Sequence, residues 1–178
     1  MKALILAAGR GSRLGNLTNE IPKCLVKLHG KHLIEWQINS LFSGGITEIG
    51  IVTGYKSNLL ERFNLVEFKN ILWQQTNMIY SLVCADSWLS KEPCIVCYSD
   101  IFFESKVVTE LRAFEKAISL AYDTNWLKLW RRRFKILQSM LRHLLLTLRE
   151  GFWTWRKNLH INKVTAVYGV IQNNTYSW

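Results

Sequence analysis

Gly9, Gly11 and Gly15 follow directly on an apolar run in the segment LAAGRGSRLGNLTNEIPK, which also carries Arg13 and closes on Lys23. A chain that turns on glycine just after a buried strand lets backbone N–H groups approach phosphate oxygens with no Cβ in the way. Arg13 and Lys23 add the positive charge that such a ligand needs. The spacing is not the GxGxxG of dinucleotide folds, and no Gly-Lys-Ser/Thr follows as a triphosphate P-loop requires. Both of those chemistries are excluded. The same residues also suit a plain tight connection with two solvated surface charges, and from residue types alone both readings stand.

Asp100 ends the apolar run CIVCYSD. Open α/β sheets bind ligands at the carboxyl ends of their parallel strands, and a lone carboxylate there suits Mg2+, which is usually held by one or two acids plus substrate phosphates. The alternative is an acid that starts a turn. Asn77 and Ser81 lie four residues apart in TNMIYSL and so share one face near a helix start. Capping and ligand contact are both open to Asn77, and the two are compatible. His29 and His32 fall in a turn, LHGKHL, and receive no role.

These residues need an α/β frame to bring them together. KALILAA reads as a buried central strand, and HLIEWQINSLF as a helix with Ile34, Ile38, Leu41 and Phe42 on one face, ended by Gly44 and Gly45. EIGIVTGY and LVEFKN read as the next strands, and NMIYSLVCADSWL as a helix that begins at Thr76 and Asn77. PCIVCYSD, a helix around VVTELRAFEK and the strand AISLAYD complete the series. Short apolar runs alternating with helical segments predict a mostly parallel, Rossmann-like sheet flanked by helices.

The composition, 49% hydrophobic and 20% charged with two prolines, is that of a globular protein. No run approaches the ~20 apolar residues of a membrane helix. LILAA breaks at once into GRGSR, so no signal peptide is expected and a cytoplasmic location is. Cys94 and Cys97 form a lone CxxC on a strand, where residues three apart point to opposite faces, so they are not expected to hold a metal. The formal charge of +10 does not mark a nucleic-acid surface. Residues 1–134 hold 17 Lys+Arg against 12 Asp+Glu, while 135–178 hold 6 basic residues and the single acid Glu150. Half of the excess belongs to that tail.

The string GxGSRL, then Thr18, then Pro22-Lys23, resembles the signature of the sugar-phosphate nucleotidylyltransferase superfamily. The likeness runs on through TGYK, TNMIYSL, CIVCYSDIFF and YDTNWLKLW, and is closest to the branch of bacterial phosphocholine cytidylyltransferases. The resemblance implies a nucleotide-binding set of Leu6, Ala7, Ala8, Gly9, Gly11, Ser12, Arg13, Lys23, Asn77 and Ser81. It gives Arg13 and Lys23 the catalytic task of balancing phosphate charge, and Asp100 the metal, Mg2+. Tyr122, Asp123 and Trp126 have the aromatic faces and the carboxylate that suit an acceptor with a quaternary ammonium group such as choline, with core packing the alternative for the two rings. The implied reaction moves a nucleotidyl group, CMP from CTP, to a small phosphorylated acceptor such as phosphocholine, with release of pyrophosphate.

Beyond residue 134 the likeness stops, which sets an expected division into a nucleotidyltransferase part, 1–134, and a divergent tail, 135–178. Relatives continue with a segment like F-E-N-P-x-x-D-A-E-T-F and later G-Q-Y-M-G-L. Lys135 to Arg142 can be encoded as AAA ATC CTT CAG TCA ATG CTG AGA, and one G in front makes this Glu-Asn-Pro-Ser-Val-Asn-Ala-Glu. AVYGVIQNNTY can likewise be encoded so that the next frame reads Gln-Tyr-Met-Gly-Leu. Two recovered segments in family order point to frameshifts, with EGF and HINKV between them in the original frame. A chain truncated in this way is expected to be short of full activity and prone to aggregate. The alternatives are a sugar-1-phosphate nucleotidylyltransferase and a noncatalytic fragment that binds nucleotide or a membrane through its basic tail.

Overall fold

The run KALILA forms β1 (Lys2–Ala7), and its neighbours explain why every residue after Lys2 is buried. It pairs in parallel with β4 (Glu48–Thr53) on one side and β6 (Cys94–Tyr98) on the other, with Ile5 opposite both Ile51 and Cys97. The computed structural model describes residues 1–114, 118–121, 123, 125 and the backbone of 164–167. Within these, β5 (Val66–Lys69), β7 (Ile118–Ala121) and β8 (Val164–Val167) complete a six-stranded sheet in the order β5-β4-β1-β6-β8-β7, every described pair parallel. A two-strand hairpin, β2 (Lys27–Leu28) and β3 (Lys31–His32), stands apart.

Strand residues alternate between two cores. Ala3, Ile5, Ala7, Ile51, Ile95 and Cys97 pack against α1 (Leu33–Ser43) and α4 (Ser105–Ala113) through Ile34, Leu41, Val108 and Leu111. Leu4, Leu6, Val52, Cys94 and Val96 face α2 (Met78–Cys84) and α3 (Asp86–Leu89) through Leu82 and Leu89. Leu4, Ile5, Ile34 and Leu89 are fully buried, each stabilising the fold by roughly 1.5–3 kcal/mol relative to exposure. Cys94 and Cys97 thus point into opposite cores, as their spacing on a strand requires.

One expectation about α1 is corrected. Phe42 is 49% exposed, whereas Gln37, a polar residue, is buried on the inward face. The inward stripe runs through Ile34, Gln37 and Leu41, and Phe42 lies a further 100° round the helix, on its flank. Gly44 caps the helix and Gly45 follows with φ of 86°, as expected of the glycine pair. The acceptor candidates Tyr122 and Trp126 lie outside the described residues, as does the tail 135–178 apart from the backbone of β8.

Candidate active site

After β1 the chain crosses to β4 and β5 on one side, and returns to β6 on the other. The point where this order reverses is the gap between the carboxyl ends of β1 and β6, where open α/β sheets leave a ligand crevice. The glycine loop leaves β1 there, and Asp100 leaves β6 there. Ser99 N–H donates to the Leu6 carbonyl at 3.2 Å, which carries the pairing of the two strands up to the crevice.

The loop is built by its glycines and one buried hydroxyl. Gly11 lies at φ 75°, a left-handed conformation that glycine adopts without penalty. Gly15, at φ 57° and ψ −130°, kinks the 3-10 segment Ser12–Thr18. Thr18 is fully buried, and its Oγ1 is 3.1 Å from the Gly11 carbonyl and 3.3 Å from that of Gly15, with one proton to donate between them. The Tyr55 N–H of the TGYK segment donates to the Ala8 carbonyl at 2.9 Å and ties the loop's root to the end of β4. Ser12 and Arg13 are exposed on the loop, while Leu6, Ala7 and Ala8 are buried at its root.

Lys23, on the 3-10 turn Lys23–Leu25, forms an ion pair with Asp100 across 77 residues of sequence. Its side chain is 27% exposed and that of Asp100 12%, so the pair is largely shielded from solvent just beyond the end of β6. The contact is with Oδ2 of the carboxylate. One cation already rests on Asp100, and a hard carboxylate oxygen at a strand end is the donor type Mg2+ takes. The chemistry of this donor fits a divalent ion, which Asp100 would hold. Among the described residues no cluster of three acids, histidines or cysteines forms a protein-only metal cage.

Asn77 caps α2, its Oδ1 accepting from Ile79 N at 3.0 Å and Tyr80 N at 3.3 Å. Ser81 is buried, and the Asn70 amide donates to its Oγ at 3.0 Å. Asn70, which sequence reasoning missed, is a hub. Its N–H donates to the Thr53 carbonyl, its Nδ2 also reaches Thr76 Oγ1, and its Oδ1 accepts from Leu72 N. A buried asparagine with every group engaged fixes the loop from β5 to α2. Its only sequence signal is a position just past the strand LVEFK. Asp123 Oδ1 accepts from Asn125 N at 2.8 Å, a local turn bond. His32, given no role from sequence, closes a capping box with Glu35 at the start of α1, and its Nδ1 lies 2.6 Å from the Leu25 carbonyl.

Residues 3–156 match the family model described as a MobA-like NTP transferase domain. The chain belongs to that family. The chain is 36% identical over 144 residues to the CTP:phosphoglutamine cytidylyltransferase of Campylobacter jejuni, covering 75% of this chain and 57% of the relative. It is 43% identical over 89 residues to the choline-phosphate cytidylyltransferase of Streptococcus pneumoniae, covering 46% and 38% of the two chains. The solved CTP:phosphocholine cytidylyltransferase from the same organism superposes with a TM-score of 0.55 at 31% identity, over 68% of this chain and 53% of that one. The chain spans about half the length of the curated relatives it matches. Among the described residues no helix is long and apolar enough to cross a membrane.

Proposed function

We propose that this chain holds CTP in the crevice between β1 and β6 and transfers CMP to a small phosphorylated or phosphonate alcohol or amine, with release of pyrophosphate. The observation that carries this reading is the Lys23–Asp100 ion pair, which places a cation and a carboxylate beside the glycine loop at the sheet's switch point. The cytidylyltransferases among the relatives support CTP as the donor.

The backbone of Leu6 to Ser12 lines the triphosphate, with Arg13 and Lys23 as counter-charges. Asp100 is the residue that would hold Mg2+, which when bound supplies neutralising charge to the phosphates. An acceptor phosphate oxygen forms a bond to the α-phosphorus while the bond from that phosphorus to the bridging oxygen breaks, and pyrophosphate leaves with the electron pair. No covalent enzyme intermediate is needed. The protein contributes positioning and electrostatic stabilisation. Lys23 gives up Asp100 and turns its ammonium to the phosphates. Asn77 sets the helix start beside the nucleotide, and Ser81 acts on it only through Asn70 and the loop. Contact with the acceptor is assigned to Tyr122, Asp123 and Trp126 from the sequence alone.

The test is pyrophosphate release from each of CTP, UTP, ATP and GTP, with and without Mg2+, with phosphocholine, phosphorylated glutamine or a sugar 1-phosphate as acceptor. Release from CTP that requires Mg2+ and one of the first two acceptors is expected. Turnover of a sugar 1-phosphate instead would make the chain a sugar-1-phosphate nucleotidylyltransferase, and binding without turnover would leave it a noncatalytic fragment.

A further inference from the structure

Gln37 is 1% exposed in the core face of α1, where a leucine would bury more apolar surface. Its Nε2 donates to two carbonyls, Tyr98 and Ile101, each at 2.6 Å. Its Oε1 is buried with no hydrogen-bond partner among the described residues. An unsatisfied buried acceptor destabilises a fold, so the amide is retained at a cost, and what it holds is informative. Tyr98 and Ile101 bracket Asp100. One turn along α1, Ser40 Oγ donates to the Phe103 carbonyl at 2.7 Å, so the same helix grips the strand's exit segment twice.

We infer that Gln37 is a positioning residue for the metal site: its amide fixes the Tyr98–Ile101 segment and thereby the direction of the Asp100 carboxylate. The inference rests on the reading of Asp100 as the metal-holding acid. Without the two N–H donors, the Tyr98–Ile101 segment loses both of these ties to α1 and can re-aim. A carboxylate that must release Lys23 and would take a cation instead tolerates little misdirection, because Mg2+ demands near-ideal octahedral geometry. Groups that orient a ligand without touching the metal typically change its affinity by about 10–100-fold when removed.

The experiment is a Mn2+ titration followed by electron paramagnetic resonance, with CTP present, on the wild-type chain and on Gln37→Met, which removes the donors at similar volume. Mn2+ affinity is expected to fall on the order of tenfold, while CTP affinity in chelator-treated buffer stays unchanged. Leu41→Ala, on the same buried face, supplies a matched loss of thermal stability and is expected to keep Mn2+ affinity. If Gln37→Met does not fold, Gln37→Asn keeps the amide but draws it back by one methylene, and the same loss in smaller measure is expected. Wild-type Mn2+ affinity in both variants, or an equal loss in Leu41→Ala, would overturn the inference. Asp100→Asn in the same titration separates the two claims. If it retains wild-type affinity, the reading of Asp100 fails and the inference with it; if it loses affinity while the Gln37 variants do not, the inference alone fails.

Discussion

A Cβ placed on Gly11 would lie 2.8 Å from the Cβ of Lys23 and 3.0 Å from its Cδ. The glycine loop and the lysine stem therefore occupy one closely shared volume, and the loop decides where the ammonium can reach. Gly9 is different, since nothing lies within 4 Å of its would-be Cβ.

These two glycines separate folding from binding. Gly11→Ala is expected to cost about 1–2 kcal/mol, from strain at positive φ and pressure on Lys23, and to weaken CTP binding as well. Gly9→Ala is expected to leave the melting temperature unchanged and still weaken CTP, because the space it fills is reserved for phosphate. Thermal unfolding and CTP titration on the pair check this, and wild-type CTP affinity in Gly9→Ala would contradict it.

If the site is as proposed, the ion pair of Lys23 with Asp100 is expected to make nucleotide and metal binding cooperative. A metal arriving alone must strip Asp100 of its lysine and leave a half-buried ammonium unpaired, whereas the triphosphate gives that ammonium a new partner. Lys23→Gln is expected to bind Mn2+ on the order of tenfold tighter than wild type in the absence of nucleotide, within the usual range of coupling between ligands. Arg10→Gln removes the same charge from the loop, where Arg10 holds Asn19 rather than Asp100, and is expected to leave Mn2+ affinity close to wild type. Equal tightening in both variants would show a general charge effect instead.

Asn70 and Asn77 differ in what they support. Asn70→Ala leaves the Leu72 N–H, Thr76 Oγ1 and the buried Ser81 Oγ short of a partner and is expected to cost about 2–3 kcal/mol. Asn77→Ala removes the α2 cap for about 1 kcal/mol, whereas Asn77→Gly costs only a few tenths. If Asn77 also touches the nucleotide, the glycine variant keeps its stability and loses CTP affinity; urea unfolding beside CTP titration reads both.

Burial pushes the thiols of Cys24 and Cys94 up to about 12 from an ordinary 9.0, and that of Cys97 higher still. On unfolding they ionise near 9.0, so above that pH the unfolded chain holds fewer protons and is favoured. Their contribution is complete below pH 9.0 and declines as pH rises toward 12, by up to about 1.4 kcal/mol per pH unit for each thiol. Urea midpoints are expected to fall between pH 9 and 10.5, and less steeply in Cys94→Ala. Cys84, only half-buried, is expected to react first with a thiol reagent at neutral pH.

Much of the frame was legible because period-two and period-3.6 apolar patterns are local. The strands KALILA, EIGIVT, VEFK and CIVCY formed where those patterns lie, and the Asn77 cap was visible as a helix start. What stayed hidden was long-range and polar. Gln37 is not among the residues that the apolar pattern of α1 picks out, and only the Tyr98 and Ile101 carbonyls explain its burial. Asn70 and Thr18 likewise draw their partners from the folded loops, and the meeting of Lys23 with Asp100 depends on the strand order. β8 takes up Val164–Val167, of which Val164 closes the HINKV segment and Ala166 and Val167 open the segment that the frameshift reading places in the shifted frame. Resequencing across the codons for Lys135 to Arg142 tests that reading, with a single-base difference expected.

The central claim, that the glycine loop with Lys23 and Asp100 is a triphosphate cradle, is tested most directly by calorimetric titration of CTP into the chain with Mg2+ present. Saturable binding of one CTP per chain is predicted, weakened by removing Mg2+ and by Lys23→Ala or Asp100→Asn in correctly folded protein. Absence of binding, or binding indifferent to both substitutions and to the metal, would contradict it.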